Sequence, residues 1–233
     1  MGSSDERRHA ERHHFEQEMQ ALRNLLLSMG SLVEERVHDA ARALIERRLE
    51  TAELIIGSDQ DVNEMQIEID ERCLRLLALQ QPIASDLRLI TAAMKINADL
   101  ERIGDQAVNI AEQAVTILAH PPLRPLIDVP RMAEIAERMT RESLDAFVRK
   151  DARLARAILA RDDEVDQLKD QAFRVLLTYM MADPGTIGRA LGLILVSRHL
   201  ERIADHATNI AEDVIFVVEA EDVRHHQEQR PDA

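Results

Sequence analysis

The sequence predicts an all-α protein of two tandem three-helix bundles, six helices in all, related by an internal pseudo-twofold repeat. Three observations predict it. Only 2% of the 233 residues are aromatic, Trp is absent, and Gly and Pro number seven each. Leu, Ile, Val, Ala and Met must then fill the core, a mixture that favours packed helices over sheets. Apolar residues recur at spacings of three and four through most of the chain. Finally, Leu100–Glu112 is nearly repeated as Leu200–Glu212, with ten of thirteen positions identical at an offset of one hundred. A duplicated core needs only alike apolar character. The identical carboxylates and amides need a second reason.

Residues 1–14 form a polar N-terminal segment without the apolar core of a signal peptide. The first repeat, 15–119, opens with a helix that the apolar stripe carries from about Glu11 to Ile56 (Leu22, Leu25, Leu26, Met29, Leu32, Val33, Val37, Ala40, Ala41, Leu44). Gly57-Ser58-Asp59 stops it, and Asp59 is suited to cap the next. The second helix buries Val62, Met65, Ile69, Cys73, Leu76 and Leu77 and runs to about Gln80. A turn at Gln81-Pro82-Ile83-Ala84-Ser85 follows, with Ser85 as N-cap, and a third helix continues to about Ala119. A Pro-rich linker spans 120–130. The second repeat, 131–219, restarts the pattern: a helix over Arg131–Ala160, one opening at Asp162, a turn at Asp183-Pro184-Gly185-Thr186, and a last helix from about Ile187 to Glu219. A charged tail, 220–233, closes the chain. Short turns make neighbouring helices antiparallel.

On a helical wheel with Glu101 at zero, Asp105, Asn109 and Glu112 fall at roughly 40°, 80° and 20°. Leu100, Ile103, Ala107, Ile110 and Ala114 cluster opposite, so the helix buries one stripe and presents oxygen ligands on the other. Glu201, Asp205, Asn209 and Glu212 repeat the arrangement. The preceding helices begin with Asp59-x-x-x-Asn63 and Asp162-x-x-x-Asp166. Residues four apart share a face, so two such pairs on neighbouring helices can converge four oxygens. Such donors suit hard or borderline cations: Mg²⁺, Mn²⁺, Ca²⁺ or iron. Like charges at this spacing cost about 0.2–0.5 kcal/mol per pair unless a cation offsets them. The plainer readings stand beside this one. The rows are also what a solvated face looks like, and Asp59 and Asp162 also suit N-caps.

A net charge of −14 argues against nucleic acid as a partner and for cations or a basic protein surface. The lone Cys73 suits a reducing cytoplasm, and no apolar run approaches the roughly 18 residues that span a bilayer. Glu35-x-x-His38 has di-iron spacing, but Arg138 and Arg141 occupy the matching positions, so the motif is not duplicated. His206 has no counterpart in the first repeat, where Gln106 holds the matching position, which weakens it as a ligand. No Walker loop, GxSxG elbow or HExxH motif occurs.

These features resemble the PhoU family of phosphate-signalling regulators over about Phe15 to His225. The most specific pieces are Gln80–Leu89, Leu100–Asp105 and Leu200–Asp205, with Asp59–Asn63, Asp163–Asp166 and Asp222–His225 also alike. The resemblance implies two three-helix bundles in a flat molecule, commonly a homodimer. It implies a cytoplasmic, non-enzymatic negative regulator of the phosphate-starvation response and of phosphate uptake. Such proteins act as adaptors between the ATPase of the phosphate ABC transporter and a sensor histidine kinase, touching the membrane only through those partners. The family's E(D)-x-x-x-D motif, which carries metal clusters in some members, maps here to Glu101/Asp105, Glu201/Asp205 and Asp162/Asp166. The fourth pair departs from it, Asn63 standing where a second acid would follow Asp59, which implies a weaker first site. The cofactors implied are divalent or transition ions (Mg, Mn, Fe or Zn). A metal-dependent bundle oxidase or hydrolase and a metal-free helical scaffold are the alternatives.

Overall fold

Each repeat opens with a long helix that breaks before its expected end. In the computed structural model, which describes residues 2–58, 60–80, 82–123 and 128–223, the first repeat comprises α1 (Gly2–Ile45), α2 (Leu49–Gly57), α3 (Gln60–Gln80) and α4 (Ala84–Leu118). The second comprises α5 (Val129–Arg149), α6 (Ala152–Leu159), α7 (Asp162–Ala182), a 3-10 turn at Pro184–Thr186 and α8 (Ile187–Glu219). The six expected helical rods are present, the first rod of each repeat divided in two.

The break is itself duplicated. Arg47 and Lys150 take left-handed backbone angles, φ 58° and 52°. The next amide in each case bonds five residues back, Arg48 N to Ala43 O at 2.8 Å and Asp151 N to Ala146 O at 2.9 Å, the Schellman pattern of a helix end. Neither left-handed residue is Gly, so the stop carries no sequence signal, and continuous helices over 11–56 and 131–160 were the wrong expectation. In return Arg47 donates to Leu118 O at 3.0 Å and His120 O at 2.7 Å, satisfying carbonyls at the end of α4. Asp151 caps α6 by accepting from Leu154 N at 3.0 Å.

Two smaller differences concern helix starts. Helix α1 begins at Gly2, ahead of the expected Glu11. Ser85 lies inside the first turn of α4, with Ile83 at the N-cap and no side-chain cap, because the chain is already extended at Ile83 (ψ 167°). Arg224 and the rest of the tail lie outside the described residues.

Helices α4 and α8 run antiparallel through the centre. α4 also packs on α1, α2 and α3, and α8 on α5, α6 and α7. The stripe read from the wheel is the core: Leu100, Ile103, Ala107, Ile110 and Ala114 are fully buried, as are Leu200, Ile203, Ala207 and Ile210. Each Leu or Ile so buried contributes about 1.5–3 kcal/mol relative to exposure. One continuous apolar cluster runs from Met19 to Ile215 across both repeats. Gly104 faces Val62 and Val33, so α4 meets the start of α3 there, which brings Asp105 and Asn63 to neighbouring turns. No helix among the described residues is long and apolar enough to cross a membrane.

Candidate functional site

The second-repeat acidic face is built where the first turns of α7 meet the middle of α8. Asp162 is the first residue of α7, with Asp163 and Glu164 beside it in a helical turn whose free amides favour negative charge. One turn on, Asp166 shares the face, and Glu201 and Asp205 approach from α8. Burial pushes Asp162 up to about 6, helped by the charges of Asp205, Asp166, Asp163 and Glu201. Asp205 is also raised, by burial first and then by Glu201 and Asp166, with His206 and Lys169 opposing. Those mutual influences place all four expected carboxylates in one cluster.

The sequence reading missed the cation already inside it. Lys169 Nζ donates to Asp166 Oδ1 at 2.6 Å and to Glu201 Oε1 at 2.7 Å, joining α7 to α8. Burial works against its charge, but the two hydrogen bonds and the charges of Glu201 and Asp166 outweigh that and raise it. The signal existed, since Lys169 follows Asp166 by three and Asp162 by seven, on the same face. Among the described residues no three His, Cys, Asp or Glu side chains stand arranged to hold a metal ion. The donor chemistry nonetheless fits a hard or borderline cation: four carboxylates, two of which, Asp162 and Asp205, have their proton affinity raised by burial and by their acidic neighbours.

In the first repeat, Asp59 lies outside the described residues. Asn63 on α3 and Glu101 and Asp105 on α4 are each half-buried where the two helices meet. Gln66 occupies the position that Lys169 holds in the second repeat, at an offset of 103. Of the outer candidates, Asn109 and Glu212 are half-buried and Glu112 is exposed. Asn209 turns away from the acids and donates to Asp99 Oδ1 at 3.2 Å, on α4 of the other repeat.

That Asp99 belongs to a second polar set the sequence did not reveal. His206 Nδ1 lies 2.9 Å from Asp99 Oδ1, and His199 Nδ1 lies 2.9 Å from Gln106 Oε1. Both acceptors are oxygens, so each Nδ1 donates. Asp99 corresponds to His199 and Gln106 to His206, so the two bonds are the same contact made twice across the repeat axis. Lys95 Nζ bonds Asp213 Oδ1 at 2.8 Å farther along the same seam. His206 therefore works as a fastener between repeats.

Comparison with known proteins agrees with this architecture. The PhoU domain model matches residues 26–114 and again 129–214. The chain is 45% identical over 212 residues to the phosphate-specific transport system accessory protein PhoU homolog of Pseudomonas aeruginosa, covering 91% of this chain and 88% of that protein. It is 42% identical over 208 residues to the homolog of the same name from Aquifex aeolicus, covering 89% and 94%. The crystal structure of PhoU from Pseudomonas aeruginosa superposes with a TM-score of 0.86 at 44% identity, over 89% of this chain and 100% of that one. The phosphate transport system regulatory protein PhoU from Streptococcus pneumoniae gives 0.83 at 32% identity, over 90% and 99%. With both repeats matched and the helical order the same, the chain belongs to the PhoU family.

Proposed function

We propose that the protein is an accessory regulator of phosphate transport, acting in the cytoplasm by binding other proteins and not by catalysis. The observation that carries the reading is the family match over both repeats, since relatives alike along nearly the whole chain bear accessory and regulatory names. In this reading it represses phosphate-starvation genes and limits uptake when phosphate is plentiful. It does so as an adaptor, as a homodimer, between a sensor histidine kinase and the ATPase of the phosphate ABC transporter. Deleting the gene is expected to leave phosphate-starvation genes expressed in high phosphate. Normal repression in that strain would overturn the reading.

The acidic faces are proposed to hold divalent or transition ions: Asp162, Asp166, Glu201 and Asp205 in the second repeat, and Asp59, Asn63, Glu101 and Asp105 in the first. A bound ion would supply positive charge that ties two helices together. The carboxylates themselves orient along the faces, and Lys169 holds Asp166 and Glu201 in place. Metal content is expected to fall in Glu101→Ala/Asp105→Ala and in Glu201→Ala/Asp205→Ala, and background metal in the parent after reconstitution with Mn, Fe or Zn would sink the sites. A metal-free second repeat is the other reading, favoured by Lys169 itself. The variant Lys169→Gln separates them. If the ammonium only competes, the variant binds Mn²⁺ more tightly than the parent; if it replaces metal, the variant loses thermal stability and Mn²⁺ does not restore it.

A further inference from the structure

The two repeats differ in chemistry at one cleft between α7 and α8, beside the acidic face and sharing Lys169 and Glu201 with it. In the first repeat Asn97, only 1% exposed, donates at 2.9 Å to both Gln66 O and Asp70 Oδ1 and stitches α4 to α3. At the corresponding positions, offset by 100 on the last helix and 103 on the one before, stand Ser197, Lys169 and Phe173. Ser197 is too short to bridge and donates back to Ile194 O at 2.8 Å within α8. Where the stitch would be, α7 and α8 part around a cavity of about 450 Å³. That volume lies within the roughly 300–1,000 Å³ of small-molecule sites.

The lining has three chemical parts. Arg198 and Arg202, one turn apart on α8, supply two exposed guanidiniums, with Lys169 facing them. Like charges four apart disfavour a helix, and Glu201 does not offset them, because its carboxylate is held by Lys169. Among the described residues neither guanidinium forms an ion pair. Their field reaches His199, which is lowered by burial first and then by Arg202 and Arg198. A positive patch in a chain of net charge −14 concentrates anions that the rest of the surface repels. The second part is apolar: Phe173, 50% exposed, and Ile194 beside it. The third is the exposed carboxylate of Asp170, an acceptor without donors of its own.

We propose that this cleft binds a nucleotide. The phosphate takes the paired guanidiniums, whose planar forks match its oxygens. The base lies on Phe173, where stacking contributes about 1–3 kcal/mol per base, and Asp170 accepts from sugar hydroxyls. Inorganic phosphate shares the anionic chemistry but leaves Phe173, Ile194 and Asp170 unused. The site needs no protein partner, so its test is independent of the adaptor reading; Glu201 lines both this cleft and the acidic face, so the test is made on protein freed of metal.

The test is calorimetric titration of the chelated full-length protein with ADP and, separately, with inorganic phosphate. ADP is expected to bind saturably, with a dissociation constant tighter than about 1 mM. Arg198→Ala/Arg202→Ala should weaken it at least about tenfold, as losing two charge-assisted contacts demands. Phe173→Ala should weaken ADP severalfold and leave phosphate unchanged. Arg102→Ala, the same helical position as Arg202 in the other repeat, is the control and should bind as the parent does. All three arginines are exposed, and helical content by circular dichroism checks that each variant folds. Absence of saturable ADP binding overturns the proposal. So does ADP binding no tighter than phosphate, or ADP binding unchanged in the double arginine variant.

Discussion

At the second acidic face a single lysine alters the electrostatic balance between the repeats. Four carboxylates less the Lys169 ammonium leave −3, and Asp59, Glu101 and Asp105 with neutral Asn63 also sum to −3. Lys169 thus offsets the one-charge excess that the four acids of the second repeat hold over the acids of the first. Asp162 feels the remaining strain. Its carboxyl is pushed up from 3.8 to about 6, by burial and then by its acidic neighbours. A folded value above the unfolded one means that ionising Asp162 costs native stability. That cost is absent below about pH 4 and complete above about pH 6. Asp162→Asn carries no such cost. In chelated protein it is expected to melt above the parent at pH 7.5, by about 1 kcal/mol after solvent screening, or a few degrees. The gap should close as pH falls from 6 towards 4, and a gap that stays constant with pH would show that the carboxyl's charge is not its cause.

Between elements, close approach is set by two small residues of opposite character. A Cβ on Gly104 would meet Val62 Cγ1 at 3.5 Å, ordinary contact, and the second repeat already carries Ala204 there. Gly104→Ala should stabilise by roughly 0.5–1 kcal/mol, the helix-propensity gain. A Cβ on Gly192 would stand 2.9 Å from Ile117 Cγ1, on a stiff β-branched side chain in the α4–α8 contact. Gly192→Ala should destabilise by about 1 kcal/mol net, overpacking of about 1–3 kcal/mol exceeding the same propensity gain. Denaturant midpoints of the two variants test the contrast, and shifts of the same sign would contradict it. Sequence periodicity was enough to place every rod, and α8 ends at Glu219 as expected. It was blind to the Arg47 and Lys150 breaks because left-handed stops normally announce themselves with Gly. There the tertiary bonds of Arg47 to the end of α4 take the place of a local signal.

Over the whole molecule, the α4–α8 seam makes two repeats into one cooperative unit. Asp99 accepts from His206 and Asn209 of the other repeat, so Asp99→Ala strands the largely buried His206 donor, while exposed Asn209 turns to water. The expected loss is about 1–3 kcal/mol, seen as one cooperative thermal transition moved down several degrees. Two separate transitions would mean that the repeats fold independently despite their shared core.

By itself the sequence determined the helices, their order, the duplication and which residues share each acidic face. All of these follow from spacings of three, four and about one hundred along the chain, which local backbone geometry converts directly into position. Only the tertiary structure decided what those faces meet. Lys169 reaching Glu201, Asp99 reaching His206, and Asn97 reaching Gln66 and Asp70 all join residues distant in sequence. Such contacts depend on the packing of one helix against another and on the reach of individual side chains, and no periodicity encodes either.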